Sequence, residues 1–110
     1  MRNNFEKRIY KELNKYKVPV EYEPERIPYT SYYIPDFVVF SKKTKKKIYI
    51  ETKGYLRPED KTKLRAVKKQ YPDMDIRIVF YESRKKSLKW AEKNKFPYSI
   101  HSVPKEWLDE

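Results

Sequence analysis

Phe5, Ile9, Leu13 and Tyr16 recur at three- and four-residue intervals, so the pattern predicts an amphipathic helix over 4–17. Asn3 is placed to cap it, with Glu6 three residues on as in a capping box. Pro19 closes the helical region. Val20 and Tyr22 then alternate with Glu21 and Glu23, as in an exposed strand that Pro24 and Pro28 confine to a sheet edge. Residues 28–35, "PYTSYYIP", read as an extended connector. A hairpin follows, in which "PDFVVF" leads through "SKKTKK" into "KIYIETK", ended by the single glycine, Gly54. Pro58 opens a helix over 58–71 with acids in its first turn and lysines in its last, as the helix dipole favours. Beyond Pro72, "MDIRIVFYE" reads as a strand with Ile76, Ile78 and Phe80 facing one side. The remainder reads as a short helix "SLKWAEKNK", a short strand "FPYSIHS" and a final helical turn "PKEWLDE" anchored by Trp107 and Leu108. The order is that of an α/β domain with one sheet and helices packed on it. No repeat or long interior linker divides the chain.

The length of 110 residues makes this one domain with one modest core. No cysteine is present, which excludes disulfides and thiolate zinc sites and fits a reducing compartment. The first residues are too polar for a signal peptide, and no apolar run is long enough to span a membrane. The net charge of +11 changes the picture most, because such a field draws polyanions, nucleic acid foremost.

Against that basic background, two acids inside the hairpin stand out. With "KKTK" as the tip, Phe40 pairs with Lys47 and Asp36 falls opposite Glu51. Opposed residues project from one face, and the two-residue period puts Lys53 beside Glu51. Two carboxylates so placed repel each other unless a cation lies between them. A salt bridge to Lys53 is one solution and a hard divalent ion such as magnesium is another. With an ion there, Lys53 would orient water, stabilise transition-state charge or, with a lowered pKa, accept a proton.

"YIPDFVVF…IYIETKGYL" resembles the core of the PD-(D/E)xK nucleases and, more narrowly, the bacteriophage endonuclease I family, which resolves Holliday junctions. "FEKRIYKEL", "YPDMDIRIVF" and "VPKEWL" extend the likeness over nearly the whole chain. The resemblance implies a restriction-endonuclease-like α/β fold with a central mixed sheet, and a magnesium-dependent nuclease of branched double-stranded DNA, with manganese able to substitute; the alternatives are a nuclease of the same superfamily acting on nicks, mismatches or flaps, and a non-catalytic basic nucleic-acid-binding module. It implies Asp36 and Glu51 as metal carboxylates, a metal contact from the Thr52 carbonyl, and Lys53 as catalytic lysine. It also implies that Glu6 joins the site, where helix logic alone makes Glu6 a capping residue. A domain-swapped homodimer is implied, with residues 1–27 exchanged, 28–35 as a connector shorter than the family's bridge, and 36–110 as catalytic core. The expected location is the cytoplasm of an infected bacterial cell. Candidate phosphate contacts are Lys42, Lys43, Lys45 and Lys46 at the hairpin tip, Arg57, Lys61, Lys63 and Arg65 on the central helix, and Arg84, Lys85 and Lys86 beyond the last long strand. For any single lysine among them, a solvated basic face is the favoured reading. Gly54 either admits a phosphate to the backbone or eases a turn. His101, the sole histidine, is read as structural.

Overall fold

The computed structural model describes residues 3–29 and 32–110. Helix α1 (Asn4–Lys15) starts where the sequence predicts, with Asn3 Oδ1 accepting the Glu6 N–H at 2.8 Å. Strand β1 (Val20–Tyr22) follows. The connector is not simply extended: β2 (Ile27–Pro28) and β3 (Tyr32–Tyr33) pair as a small antiparallel ribbon, Ile27 opposite Tyr33. Burial of Ile27 and Tyr33 against the core supplies the reason. The middle of the predicted connector, Thr30 and Ser31, lies outside the described residues.

Strands β4 (Phe37–Phe40) and β5 (Lys47–Lys53) form the predicted hairpin, with Phe40 opposite Lys47 and Phe37 opposite Ile50. Then come α2 (Pro58–Gln70), β6 (Ile76–Phe80), α3 (Lys85–Lys93), β7 (Tyr98–Ile100) and α4 (Lys105–Asp109). The five-stranded sheet runs β1-β4-β5-β6-β7, antiparallel through β5 and parallel from β5 to β7. One sheet with helices packed on it is what the residue pattern predicts, and its mixed strand directions are what the family resemblance implies.

The core forms two layers. Ile9 and Leu13 of α1 and Leu108 of α4 pack with Phe37, Val39, Ile48 and Ile50 on one face. Leu64 and Val67 of α2 and Ala91 of α3 cover Ile76, Ile78 and Phe80 on the other. Ile76, Ile78 and Phe80 face one side as expected, and because Arg77 and Val79 are buried as well, strand β6 is covered on both faces. The Arg77 guanidinium survives burial by bonding Asp75 and Glu110, each at 2.8–2.9 Å.

Because β5, β6 and β7 are parallel, α2 and α3 both begin at the carboxyl ends of β5 and β6. Helix α1 begins at that end too, since its cap Asn3 shares a cleft with Lys53. Open α/β sheets bind ligands at this end of their strands.

Candidate active site

The β4–β5 ladder stops at Phe37, one residue short of Asp36. Asp36 is bent out of the strand, and its Oδ2 accepts from both the backbone N–H and the hydroxyl of Thr52, each at 2.8 Å. The expected cluster of three side chains on one sheet face is corrected accordingly: Glu51 and Lys53 share a face, while the Asp36 carboxylate wraps the strand end onto Thr52. The cause is electrostatic, since two donors at Thr52 are a better environment than a like charge directly opposite.

Helix α1 brings Glu6 to the same place. Its carboxylate does not reach back to close the capping box; Tyr22 donates to it at 2.7 Å. One carboxylate oxygen from each of Glu6, Glu23 and Asp36 lies within 4.8 Å of the other two, an all-oxygen set able to hold a hard cation. Glu23 sits just past β1 in the left-handed region, φ 46°, with its N–H bonded to the Asp36 carbonyl at 3.1 Å. The sequence pattern had placed it on an exposed strand.

Glu51 is held separately, accepting from the fully buried Tyr33 hydroxyl at 3.0 Å. Lys53 Nζ lies 3.7 Å from Glu51 and 3.2 Å from Asp60. The second oxygen of Asp60 accepts the Arg57 N–H at 3.0 Å and so caps α2. One carboxylate thus fixes both the helix start and the lysine.

Glu6, Asp36 and Glu51 are 3, 4 and 5% exposed. Burial, with the Asp36 charge second, pushes Glu51 up to about 8. Burial likewise raises Asp36, against the pull of the two Thr52 donors. Burial works to lower Lys53, but Glu51 and Asp60 outweigh it and hold the ammonium above its usual range. In this arrangement Lys53 keeps its proton, which favours its reading as a fixed cation over its reading as a base. Glu51 is a buried carboxyl whose proton a divalent ion can replace, and the oxygens of Glu6, Glu23 and Asp36 are donors that suit a hard metal.

A cleft of about 420 Å³ is lined by Glu6, Asp36, Thr52, Lys53 and Asp60, with Gly54, Tyr55 and Arg57 on its wall, while Glu51 lies buried behind it. Gly54 has no positive φ, and a Cβ there would meet Glu82 only at ordinary contact distance, so neither turn strain nor crowding demands glycine. A larger groove of about 1010 Å³, bordered by Arg26, Lys47, Tyr49 and Tyr71, has no buried carboxylate on its wall.

The profile of the phage endonuclease I family matches residues 1–110. The chain belongs to this family. It is 31% identical to Endonuclease I of Escherichia phage T7, with 99% of this chain and 78% of that protein aligned. It is 32% identical to Endodeoxyribonuclease 1 of Enterobacteria phage T3, over 94% and 73% of the two chains.

In this phage endonuclease I family member, the predicted phosphate contacts divide into two groups. Arg57, the N-cap of α2, lines the cleft, Lys61, Lys63 and Arg65 follow along that helix, and the Lys63 charge is felt at Glu51. Arg84 stacks 3.8 Å over the Tyr55 ring at the start of α3, next to Lys85 and Lys86. Lys42, Lys43, Lys45 and Lys46 sit on the turn at the opposite end of β5, some ~20 Å of strand away from the motif. That turn is occupied by α4: the Lys42 N–H donates to the Leu108 carbonyl, and those of Lys43 and Thr44 to that of Glu110. A hairpin tip lies at the far end from its open strands, so a motif at the end of β5 cannot share the tip's surroundings. His101 is exposed, its carbonyl accepting from Arg8 and its ring against Tyr81. Among the described residues no helix is long and apolar enough to cross a membrane.

Proposed function

We propose that the protein is a magnesium-dependent DNA endonuclease that hydrolyses phosphodiesters and resolves four-way junctions. The observation that carries this is the convergence of Glu6, Asp36, Glu51 and Lys53 on one end of β5 in a chain of this family. Asp36, Glu51 and the Thr52 carbonyl would hold the ion, with Glu6 and Glu23 facing it from α1 and the end of β1. The chemistry such an ion would supply is polarisation of a phosphoryl oxygen and a lowered pKa for bound water.

The chain's own residues do the rest. Thr52 orients Asp36 through two hydrogen bonds, Tyr33 orients Glu51, and Asp60 orients Lys53. The Lys53 ammonium stabilises the negative charge that builds on the scissile phosphate. Glu51 must release its proton to hold the ion, so activity rises with pH towards and past neutrality.

Junction resolution requires two cuts, and we place them with a homodimer. Here α1 packs on the sheet of its own chain and completes the site in cis. Opening the β2–β3 ribbon would let the same α1 contact form between two chains.

The test uses a four-way junction, a linear duplex and a flap, each with magnesium or with chelator. Paired nicks confined to the junction, and only with magnesium, are expected. Equal cutting of all three would leave a nuclease without junction selectivity, and binding without metal-dependent cutting would sink the enzyme reading. Mixing exchanged Glu6→Ala and Lys53→Ala dimers tests the swap. Recovery of activity requires composite sites, whereas a cis site stays silent once subunit exchange is verified.

A further inference from the structure

Helix α1 carries two acids, and neither lies on its outer face. Glu6 is turned into the candidate site, and Glu12 accepts from the Val103 N–H beneath the helix. The positions left exposed are Asn4, Lys7, Arg8, Lys11, Asn14 and Lys15. At about 100° per residue these fall within a single arc of roughly 120°. Arg8 is engaged by the His101 carbonyl and the Phe5 ring. Lys7, Lys11 and Lys15 remain at four-residue steps on one stripe, and none forms an ion pair among the described residues.

An exposed helix that serves only itself gains by pairing glutamate with lysine four residues away. This helix uses its two glutamates elsewhere and leaves three like charges in a row. The stripe starts beside Glu6 and recedes along the helix for about 12 Å. Consecutive phosphates of one duplex strand are about 3.4 Å apart along the axis, so that length spans several of them.

We propose that the outward stripe of α1, Lys7, Lys11 and Lys15, is a backbone track that seats a DNA duplex arm leading away from the site. The inference rests on the DNA endonuclease reading above and extends it to a surface that the basic runs of the sequence do not mark. The contacts are to phosphate, so they position the duplex without reading its sequence. They also make α1 a two-sided element: Glu6 faces the chemistry and the lysines hold the arm.

The test compares three proteins by fluorescence anisotropy on a labelled four-way junction, with chelator present so that nothing is cut. They are the wild type, the triple variant Lys7→Ala, Lys11→Ala, Lys15→Ala, and a control, Lys69→Ala, Lys89→Ala, Lys93→Ala, which removes the same charge from exposed positions of α2 and α3. Alanine is the best helix former, so α1 is not weakened, and a thermal melt verifies this. The α1 variant should lose at least tenfold in affinity at about 0.1 M salt, and its slope of log K against log salt should flatten by roughly 2 to 3, near 0.9 per lost phosphate contact. The control should keep nearly all of the wild-type slope. Equal losses in both variants would show only the long-range field of a basic protein and overturn the track, as would an α1 variant that binds like wild type. A wild type that neither binds nor cuts DNA would instead overturn the nuclease reading itself.

Discussion

Lys53 Nζ lies nearer to Asp60, at 3.2 Å, than to Glu51, at 3.7 Å. The acid at the start of α2 is therefore the closer anchor of the lysine. Asp60→Asn keeps an oxygen for the Arg57 N–H, so the melting temperature should barely move. The cleavage rate should fall about tenfold, an effect of the size expected for a misplaced electrostatic group, while junction affinity stays at the wild-type level. In a Lys53→Met background the same change should cost nothing further, and a full additional loss in that double mutant would assign Asp60 a role independent of the lysine.

Glu51 titrates near 8 in the folded chain and near 4.5 when unperturbed. Between those values the folded chain holds a proton that the unfolded chain has released. The associated stability is complete below about pH 4.5 and is lost as pH rises through 8, at up to about 1.4 kcal/mol per pH unit. Wild-type melting temperature should therefore decline between pH 5 and 8, whereas Glu51→Gln should be flatter over that window and inactive in cleavage. Magnesium should restore part of the wild-type loss at pH 8, because binding the ionised carboxylates offsets their burial. Parallel melting curves for the two proteins across this range would contradict the assignment.

Thr52→Val removes one of the two donors on Asp36 and leaves the backbone N–H in place. The fold should lose about 1 kcal/mol. Asp36 should become harder to ionise, so the magnesium concentration needed for half-maximal cutting should rise several-fold. A magnesium titration of the cleavage rate reads this directly.

Arg77 ties Asp75 to Glu110 at the end of the sheet opposite the cleft. Arg77→Met should destabilise the chain by about 2–3 kcal/mol, as charged hydrogen bonds are lost from partly buried partners. Cleavage at low temperature should be unchanged. Denaturant melts and a rate measured well below the transition separate the two effects.

The hairpin, its register and both long helices were legible because they rest on local rules: period two, a short turn, proline at a helix start. The register was read correctly up to Phe37, and the break at Asp36 was not, because it depends on what two Thr52 donors offer a carboxylate. Glu6 was legible only through the family resemblance, since its helix explains it equally well as a cap. Tyr33, Glu23 and Asp60 were missed. Nothing in the pattern around Tyr33 marks its hydroxyl as a carboxylate's donor, and Glu23 reads as the polar side of an edge strand. Asp60 looked like a first-turn acid complementing the helix dipole. Only tertiary contact reveals their second use, although one signal was available for Asp60. Just four residues separate Lys53 from α2, so side chains of its first turn had to lie near the motif.

The site is also a reporter of its own assembly. Asp36, Glu51 and Lys53 ride on the sheet, whereas Glu6 arrives only when Ile9 and Leu13 of α1 seat against it. Each of those two aliphatic anchors contributes roughly 1.5–3 kcal/mol, so α1 can lift off at less cost than unfolding the whole domain. Mild denaturant should then silence cutting before circular dichroism registers the melt, leaving a partly opened chain that is harmless to the DNA around it.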